Sequence, residues 1–267
     1  LTTPLFRWAG SKRKSLPTLA EFWQPTFRRY VEPFVGSAAL FFRLQPRRAL
    51  LSDINKGLIE AYKVIRDQPD DLHAAVCAIP RRETTYYKIR AQRPADLTPF
   101  ERAVRFVYLN RYCFNGIYRT NAKGEFNVPF AHNKPGVIPS IEQFRQCSIL
   151  LSKTSLRCGD FESVLSAVRE GDFVYLDPPY AVESRRIFRQ YDAKEFTLED
   201  MERLSKCLRS IDGIGASFVI SYADCAEARR LLKRWKPVRH RVRRHIAGFA
   251  SARRTAFELL ATNIEAR

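Results

Sequence analysis

Residues 30–53 read YVEPFVGSAALFFRLQPRRALLSD. The first seven, YVEPFVG, are an apolar run ending at Gly36, the pattern of a buried strand that stops in a turn. SAALFFRLQ, residues 37–45, has the apolar spacing of a helix, with Ser37 as its expected cap. ALLSD, residues 49–53, is a second apolar run, and it ends in an acid. Strand, glycine turn, helix, strand and acid in that order describe a βαβ unit of the nucleotide-binding kind. The chain is therefore read as α/β. A glycine at the turn lets a ligand approach the backbone closely, and an acid about 20 residues later suits paired ribose hydroxyls.

Working outward, the α/β alternation breaks and then resumes. Segments GLIEAYKVIRD and PFERAVRFVYLN have helical periodicity, and between them lies a polar, arginine-rich stretch holding Pro80, Pro94 and Pro99. Residues 113–136, CFNGIYRTNAKGEFNVPFAHNKPG, alternate glycine and asparagine with aromatics, as a β-hairpin or ordered loop would. SLRCGD (155–160) and DFVYLD (172–177) are short strands ending in acids, and ASFVISYAD is another strand. FTLEDMERLSKCLRSI is an amphipathic helix opened by Thr197, EARRLLKRW is a helix, and RHRVRRHI with TAFELLATN suits a closing hairpin. The expected architecture is a mixed sheet of about seven strands. One domain is formed by residues 1–56 and 151–267, with a mainly helical subdomain carrying a hairpin inserted over 57–150.

The sharpest chemical signal is Asp177-Pro178-Pro179-Tyr180 at the end of a buried strand, where open parallel sheets bind their ligands. An aromatic amine is a poor nucleophile because its lone pair is delocalised into the ring. A carboxylate and a backbone carbonyl that accept both amine hydrogens draw the nitrogen toward tetrahedral geometry and free that lone pair. Prolines fix φ and carry no N–H, which leaves neighbouring carbonyls available. Tyr180 offers a face for a flipped base to stack upon. A third stretch, Phe6-Arg7-Trp8-Ala9-Gly10-Ser11-Lys12, puts small residues between an aromatic and a lysine; read alone it is a tethered N-terminal arm.

Composition narrows the partners. Lys and Arg number 46 against 28 Asp and Glu, a net charge of +18, and they are spread along the chain, which favours a polyanion such as nucleic acid. No stretch of about 20 apolar residues occurs, so no membrane span is expected. The opening LTTPLFRWAGSKRK lacks the apolar run of a secretory leader. Cys77, Cys113, Cys147, Cys158, Cys207 and Cys225 fall at no zinc-like spacing, so reduced thiols and no metal site are expected.

FRWAGSKRK, EPFVGSAAL, LSDIN, NRYCFNGIYRTNAKGEFNVPF and LDPPY follow one another in the order found in the Dam family of DNA adenine methylases, and the chain resembles that family over nearly its whole length. The resemblance implies a Rossmann-like methyltransferase fold, S-adenosylmethionine as cofactor, and methyl transfer to N6 of an adenine flipped from double-stranded DNA. It implies that Trp8, Ala9, Gly10 and Lys12 contact the cofactor. Phe34 and Gly36 would shape its pocket, Asp53 would hold the ribose, and Asp160 and Phe161 would lie at its adenine. Asp177 would serve both the cofactor edge and the target amine, with Pro178, Pro179 and Tyr180 completing the catalytic set. The cofactor is a sulfonium cation, so acids lining its pocket make electrostatic sense.

For DNA, the resemblance implies Phe114 as an aromatic wedge, Asn115 at the orphaned base, Ile117 and Pro129 on thymine methyls, and Arg119 on a guanine edge. Arg7, His132, Asn133 and Lys134 would complete the DNA contacts, at GATC or a related site. Arg7 stands where the family often has lysine, Asn133 where it often has tyrosine, and Ala38 where it often has a second glycine. The alanine is expected at negative φ. A cytoplasmic monomer working at the nucleoid, alone or beside a restriction nuclease, fits this picture. The alternatives are a methyltransferase acting on RNA adenine or cytosine N4, and a DNA-binding relative without catalysis.

Overall fold

The computed structural model describes residues 2–8, 10, 12, 15–121, 124–133, 136–180, 196–243 and 255–264. Its centre is a sheet of seven strands: β1 (Arg29–Glu32), β2 (Ala49–Asp53), β3 (Thr154–Cys158), β4 (Asp172–Leu176), β5 (Ser217–Ala223), β6 (Val238–Arg243) and β7 (Thr255–Thr262). The order is β3-β2-β1-β4-β5-β7-β6. The first five in that order are parallel, and β7 runs antiparallel between β5 and β6. The chain winds outward from β1 to β3 and then returns to lay β4 on the other side of β1. That reversal makes the carboxyl ends of β1 and β4 the switch point at which an open α/β sheet receives a ligand.

The strands that flank the switch point are buried on both faces, as parallel strands covered by helices must be. Along β4, Phe173 and Tyr175 join the apolar cluster on one side of the sheet, while Val174 and Leu176 join the other. The second side is covered by α8 (Phe161–Leu165), α9 (Leu198–Gly213) and α10 (Ala226–Leu232), and Thr197 caps α9 with Asp200 in a reciprocal capping box, as expected. Pairing of β6 with β7 makes the closing hairpin. Among the described residues no helix is long and apolar enough to cross a membrane.

The first face carries the inserted region. Here α3 (Lys56–Asp67) and α6 (Pro99–Tyr112) appear as the periodicity predicts. The proline-bearing stretch between them also folds, into α4 (Pro69–Ala78) and α5 (Glu83–Ala91), and α7 (Ile141–Leu151) follows. Pro69 opens α4 at a position where its missing N–H costs nothing. Leu58, Tyr62 and Phe106 belong to the same apolar cluster as Phe41 and Phe42 of α2 (Ala39–Leu44), so the insert and the sheet share one core. Residues 113–121 and 124–131 belong to a loop in which, among the described residues, two isolated antiparallel bridges form, Cys113 with Phe130 and Thr120 with Phe126.

Two local expectations are corrected. The cap of α2 is Ala38, not Ser37, and it makes no side-chain capping bond. Ala38 also adopts φ 53°, the left-handed region, where a negative φ is expected of alanine. The Ala38 N–H closes a turn onto the Val35 carbonyl at 2.7 Å, and its methyl is fully buried. Packing of that methyl, about 0.8 kcal/mol, offsets much of the roughly 1–2 kcal/mol that the left-handed conformation costs.

At the opposite end of the sheet, Asp172 is fully buried between Arg28 and Arg29, at 3.0 and 2.6 Å, and Arg29 lies beside it in the β1–β4 register. Asp172→Ala should lower stability by about 2–3 kcal/mol, read from a urea midpoint. The loss stays under the 3–5 kcal/mol of a fully buried pair because both arginines retain water contact. An unchanged midpoint would show that this pair does not secure the register.

Candidate functional site

The acids that end the strands converge on the switch point. Glu32 closes β1, Asp53 closes β2, and Asp177 follows β4 directly. Asp53 is used at both oxygens: Oδ2 accepts the Gly36 N–H at 3.1 Å and Oδ1 accepts the Asn55 N–H at 3.0 Å. Gly36 sits at φ 44°, a conformation suited to glycine. A Cβ there would fall 2.7 Å from the Trp8 ring, so Trp8 closes over the turn because position 36 has no side chain. Tyr62 donates to the Gly36 carbonyl at 2.9 Å, tying the same turn to α3.

Asp177 keeps about a fifth of its side chain accessible (21 %), enough for a ligand to reach it. Oδ1 accepts from the Ser221 hydroxyl at 3.0 Å and meets the Lys12 ammonium at 3.1 Å. Lys12 also donates to Tyr180 Oη at 2.6 Å and to Glu258 Oε1 at 2.9 Å, and Tyr180 in turn donates to Glu258 at 2.9 Å. Burial alone would lower the Lys12 pKa, but Asp177, Tyr180 and Glu258 together raise it above the ordinary lysine range, so the group is a fixed cation.

Burial pushes the Asp177 carboxyl up; Lys12 opposes this, and the Glu258 charge adds to it. Glu32 is pushed well above the usual carboxylate range by burial, against the hydrogen bond that Tyr30 donates at 2.9 Å, and Asp177 and Asp53 push it further. In the crevice beyond the strand tips, Lys12 is shared between Asp177 and Glu258, Asp53 lies at the neighbouring tip, and Glu32 is held toward its neutral form, an arrangement that leaves room for a further positive group.

The sequence-predicted cofactor residues fall into two neighbouring groups. Trp8, Gly36, Asp53, Lys12 and Asp177 line the tips of β1, β2 and β4 as described. Phe34 and Phe161 pack together at 5.5 Å between ring centres, with Phe196 beside both at 6.0 Å. Asp160 caps α8 and is held by Arg203 at 2.7 Å. Gly10 is exposed at φ 77°, and Ala9 lies outside the described residues. Pro178 is buried, Pro179 exposed, and Tyr180 half-buried with its ring against Tyr222 at 5.1 Å.

The predicted nucleic-acid residues gather on the insert loop. Phe114 is 45 % exposed, unusual for a large apolar side chain, and Asn115 beside it takes φ 55°. The Phe114 N–H donates to the Pro129 carbonyl at 2.9 Å, which brings those two exposed residues together. Arg119 is aimed by Asn127, whose Oδ1 accepts from Nε at 2.7 Å. His132 and Asn133 are exposed at the loop's end, His132 near Glu83 at 3.4 Å; Lys134 lies outside the described residues. Arg7 is strapped to this loop: its backbone exchanges hydrogen bonds with the Asn110 side chain at 2.9 and 2.7 Å, and its side chain lies on Gly116 and Gly136. Ile117 is half-buried. The Trp8 ring stacks on Tyr118 at 5.7 Å and 18°, joining the crevice to the loop.

Sequence reasoning missed Glu32, Ser221, Glu258, Asn110, Tyr118 and Asn127. Ser221 and Glu32 could have been found from their position at carboxyl ends of strands. Glu258 could not, since its role depends on where β7 pairs.

Comparison with known proteins agrees with the geometry. The family described as D12 class N6 adenine-specific DNA methyltransferase matches residues 8–246. The chain is similar to the type II methyltransferase M1.LlaDCHI of Lactococcus lactis subsp. cremoris, 32 % identical over 97 % of this chain and 95 % of that one. It is similar to the DNA adenine methylase of Escherichia coli (strain K12), 32 % identical over 96 % and 93 %. The type II methyltransferase M.MjaIII of Methanocaldococcus jannaschii is 34 % identical over 82 % and 83 %.

Gly36→Ala should displace Trp8, costing about 1–3 kcal/mol as overpacking does. It should also alter tryptophan emission. Unchanged emission with an unchanged denaturation midpoint would mean that Trp8 is not seated on the turn.

Proposed function

The chain belongs to the D12 class of N6 adenine-specific DNA methyltransferases, and from that footing we propose how its own residues divide the work. The methyl donor is S-adenosylmethionine, which supplies, when bound, an electrophilic methyl group on a sulfonium. The residues present suit it: the Asp53 carboxylate beside the Gly36 turn for the ribose, the Phe34–Phe161 pair and Asp160 for the adenine, and Glu32 and Asp177 for positive charge. The Asp53 and Asp177 carboxylates at neighbouring strand tips, with Lys12 already shared between Asp177 and Glu258, are the observation that favours a cation there.

Asp177 and the Pro178 carbonyl accept the two hydrogens of the target amine. The nitrogen lone pair is thereby withdrawn from the ring and directed toward the methyl group. Tyr180 presents its ring to the extruded adenine, whose unstacking costs a few kcal/mol. When bound, the donor would supply its methyl group to N6 and leave as the neutral thioether, and Asp177 is placed to take the proton that N6 loses. Positioning accounts for much of the acceleration, because the aligned reactants lose their freedom on binding rather than in the reaction itself.

Residues 1–56 and 151–267 carry the chemistry and 57–150 read the DNA. Phe114 enters the duplex, Asn115 meets the orphaned base, Ile117 and Pro129 touch thymine methyls, and Arg119 reads guanine. Arg7, His132, Asn133 and Lys134 flank the site, which is GATC or a sequence sharing its ATC. The remaining lysines and arginines, part of a net charge of +18, contact phosphates, so binding weakens steeply with salt. The enzyme acts as a monomer in the compartment that holds the cell's DNA. Mapping N6-methyladenine by sequencing after incubation of DNA with enzyme and donor reads out the site directly.

Asp177→Ala should reduce methyl transfer by about 10³-fold or more with the fold retained, since Lys12 keeps Glu258 and Tyr180 as partners. Substantial activity in a radiolabelled-methyl assay would remove Asp177 from the reaction. Arg119→Ala should lose about 1–3 kcal/mol of discrimination at one base pair while non-specific affinity holds. An equal fall on all sequences would make Arg119 a phosphate contact.

A further inference from the structure

We propose that Glu258 is a positioning residue for methyl transfer: it holds Lys12 and Tyr180 so that Asp177 keeps Oδ2 for the substrate amine. The inference rests on the reading of Asp177 as the acceptor of that amine.

The geometry begins with strand register. Leu176 pairs with Ile220, which puts Asp177 beside Ser221, and Ser221 pairs with Leu260 on β7. Side chains two apart on a strand share a face. Glu258 therefore lies on the same face as Leu260, Ser221 and Asp177, two residues along β7 from Leu260 and opposite Ala223 at the carboxyl end of β5. On that face Lys12 enters from the N-terminal arm. Lys12 is 8 % exposed and Glu258 4 %, so neither is a solvated surface charge.

A buried carboxylate is tolerated only when it is paired, and Glu258 has partners. It accepts from the Lys12 ammonium and from the Tyr180 hydroxyl, both on Oε1 and both at 2.9 Å. Those two donors are the residues on which Asp177 and a stacked base depend. The first consequence is orientation. With the ammonium fixed between Glu258, Tyr180 and Asp177, the contacts that the Asp177 carboxylate makes among the described residues, with Lys12 and Ser221, fall on Oδ1. The carboxylate is locked in rotation with its other oxygen turned away from them. The same bond from Tyr180 fixes the plane of the ring.

The second consequence is electrostatic. A lysine paired with Asp177 alone would quench it as an acceptor. Shared with Glu258, the cation neutralises only part of the negative charge, and Asp177 remains a stronger base. The groups facing Asp177 are Lys12 from the arm, Glu32 of β1, Tyr175 of β4, Tyr180, Ser221 of β5 and Glu258 of β7. Removing the Glu258 charge lowers the Asp177 pKa, and activity carried by the ionised carboxylate then persists to lower pH. A residue that merely stabilises the fold would not move that limb.

The test compares Glu258→Gln, Glu258→Ala and Asp177→Ala in single-turnover and steady-state methylation across pH, with folding followed by circular dichroism. Glu258→Ala should lower kcat by about 10²-fold, the scale of a misplaced catalytic group, with KM for DNA and for donor little changed. Glu258→Gln, which keeps an oxygen to accept from Lys12, should recover most of the rate with its acid limb displaced downward. An unmoved acid limb in Glu258→Gln, wild-type rates in Glu258→Ala, or a glutamine variant that does not fold would each overturn the proposal. If instead Asp177→Ala stays active, the reading of Asp177 has failed, and that outcome is distinct from any of these.

Discussion

A single ammonium ties together the strand-tip end of the molecule. Lys12 arrives on the N-terminal arm, and its partners come from after β4, from β7 and from Tyr180. Charges so far from water are tolerated only when their partners are in place. The cluster therefore forms only when the arm, the β4 tip and the closing hairpin have all docked. Its members are also the groups best suited to grip an aromatic amine, so docking the arm assembles the site as well as the fold. With β7 lying between β5 and β6, Glu258 stands opposite Ala223 at the carboxyl end of β5, within reach of Lys12 and Tyr180.

The acids at the strand tips follow from the topology. Parallel strands all point their carboxyl ends the same way, so an acid at the end of each accumulates charge on one edge of the sheet. Glu32 bears most of the resulting cost, since it is buried against Asp53 and Asp177 as well as desolvated. A soluble fold with no use for that charge would carry apolar or neutral residues at these positions. The basic balance of the rest of the chain does not relieve it, because surface charges beyond about 10 Å are screened by salt.

Much of this was legible in the sequence, and the boundary of legibility has a physical cause. The tips at Asp53 and Asp177 could be read because each sits at the end of a short apolar run, and the length of such a run fixes where a strand stops. Thr197 could be read as a cap because its box with Asp200 is local. Ser37 was misread for the opposite reason: the turn is shaped by Trp8 closing on Gly36 and by burial of the Ala38 methyl, and both are tertiary. Helices α4 and α5 were missed because few of their residues are buried, which leaves weak periodicity; α7 was open to reading, since Phe144, Cys147 and Leu151 recur at helical spacing behind the Ser140–Gln143 capping box. Glu258 reads as an ordinary strand residue until β7 has a neighbour.

The insert shows how a loop with few backbone pairings can still hold its side chains to a fixed geometry. Two isolated bridges would leave such a loop loose if nothing else held it. Instead it is tied at its base by the Asn110–Arg7 exchange and at its middle by the Trp8–Tyr118 stack, and Tyr118 also packs on Phe106 and Phe126 at 5.3 and 5.4 Å. Phe6, next to Arg7, is gripped by Tyr62 and Phe106 at 5.0 and 5.3 Å, and Tyr62 bonds the Gly36 turn. The N-terminal arm is thus a common strut for both sites. A loop built this way can exchange its exposed residues, Phe114, Asn115, Pro129, His132 and Asn133, without disturbing the contacts that fix its distance from the crevice.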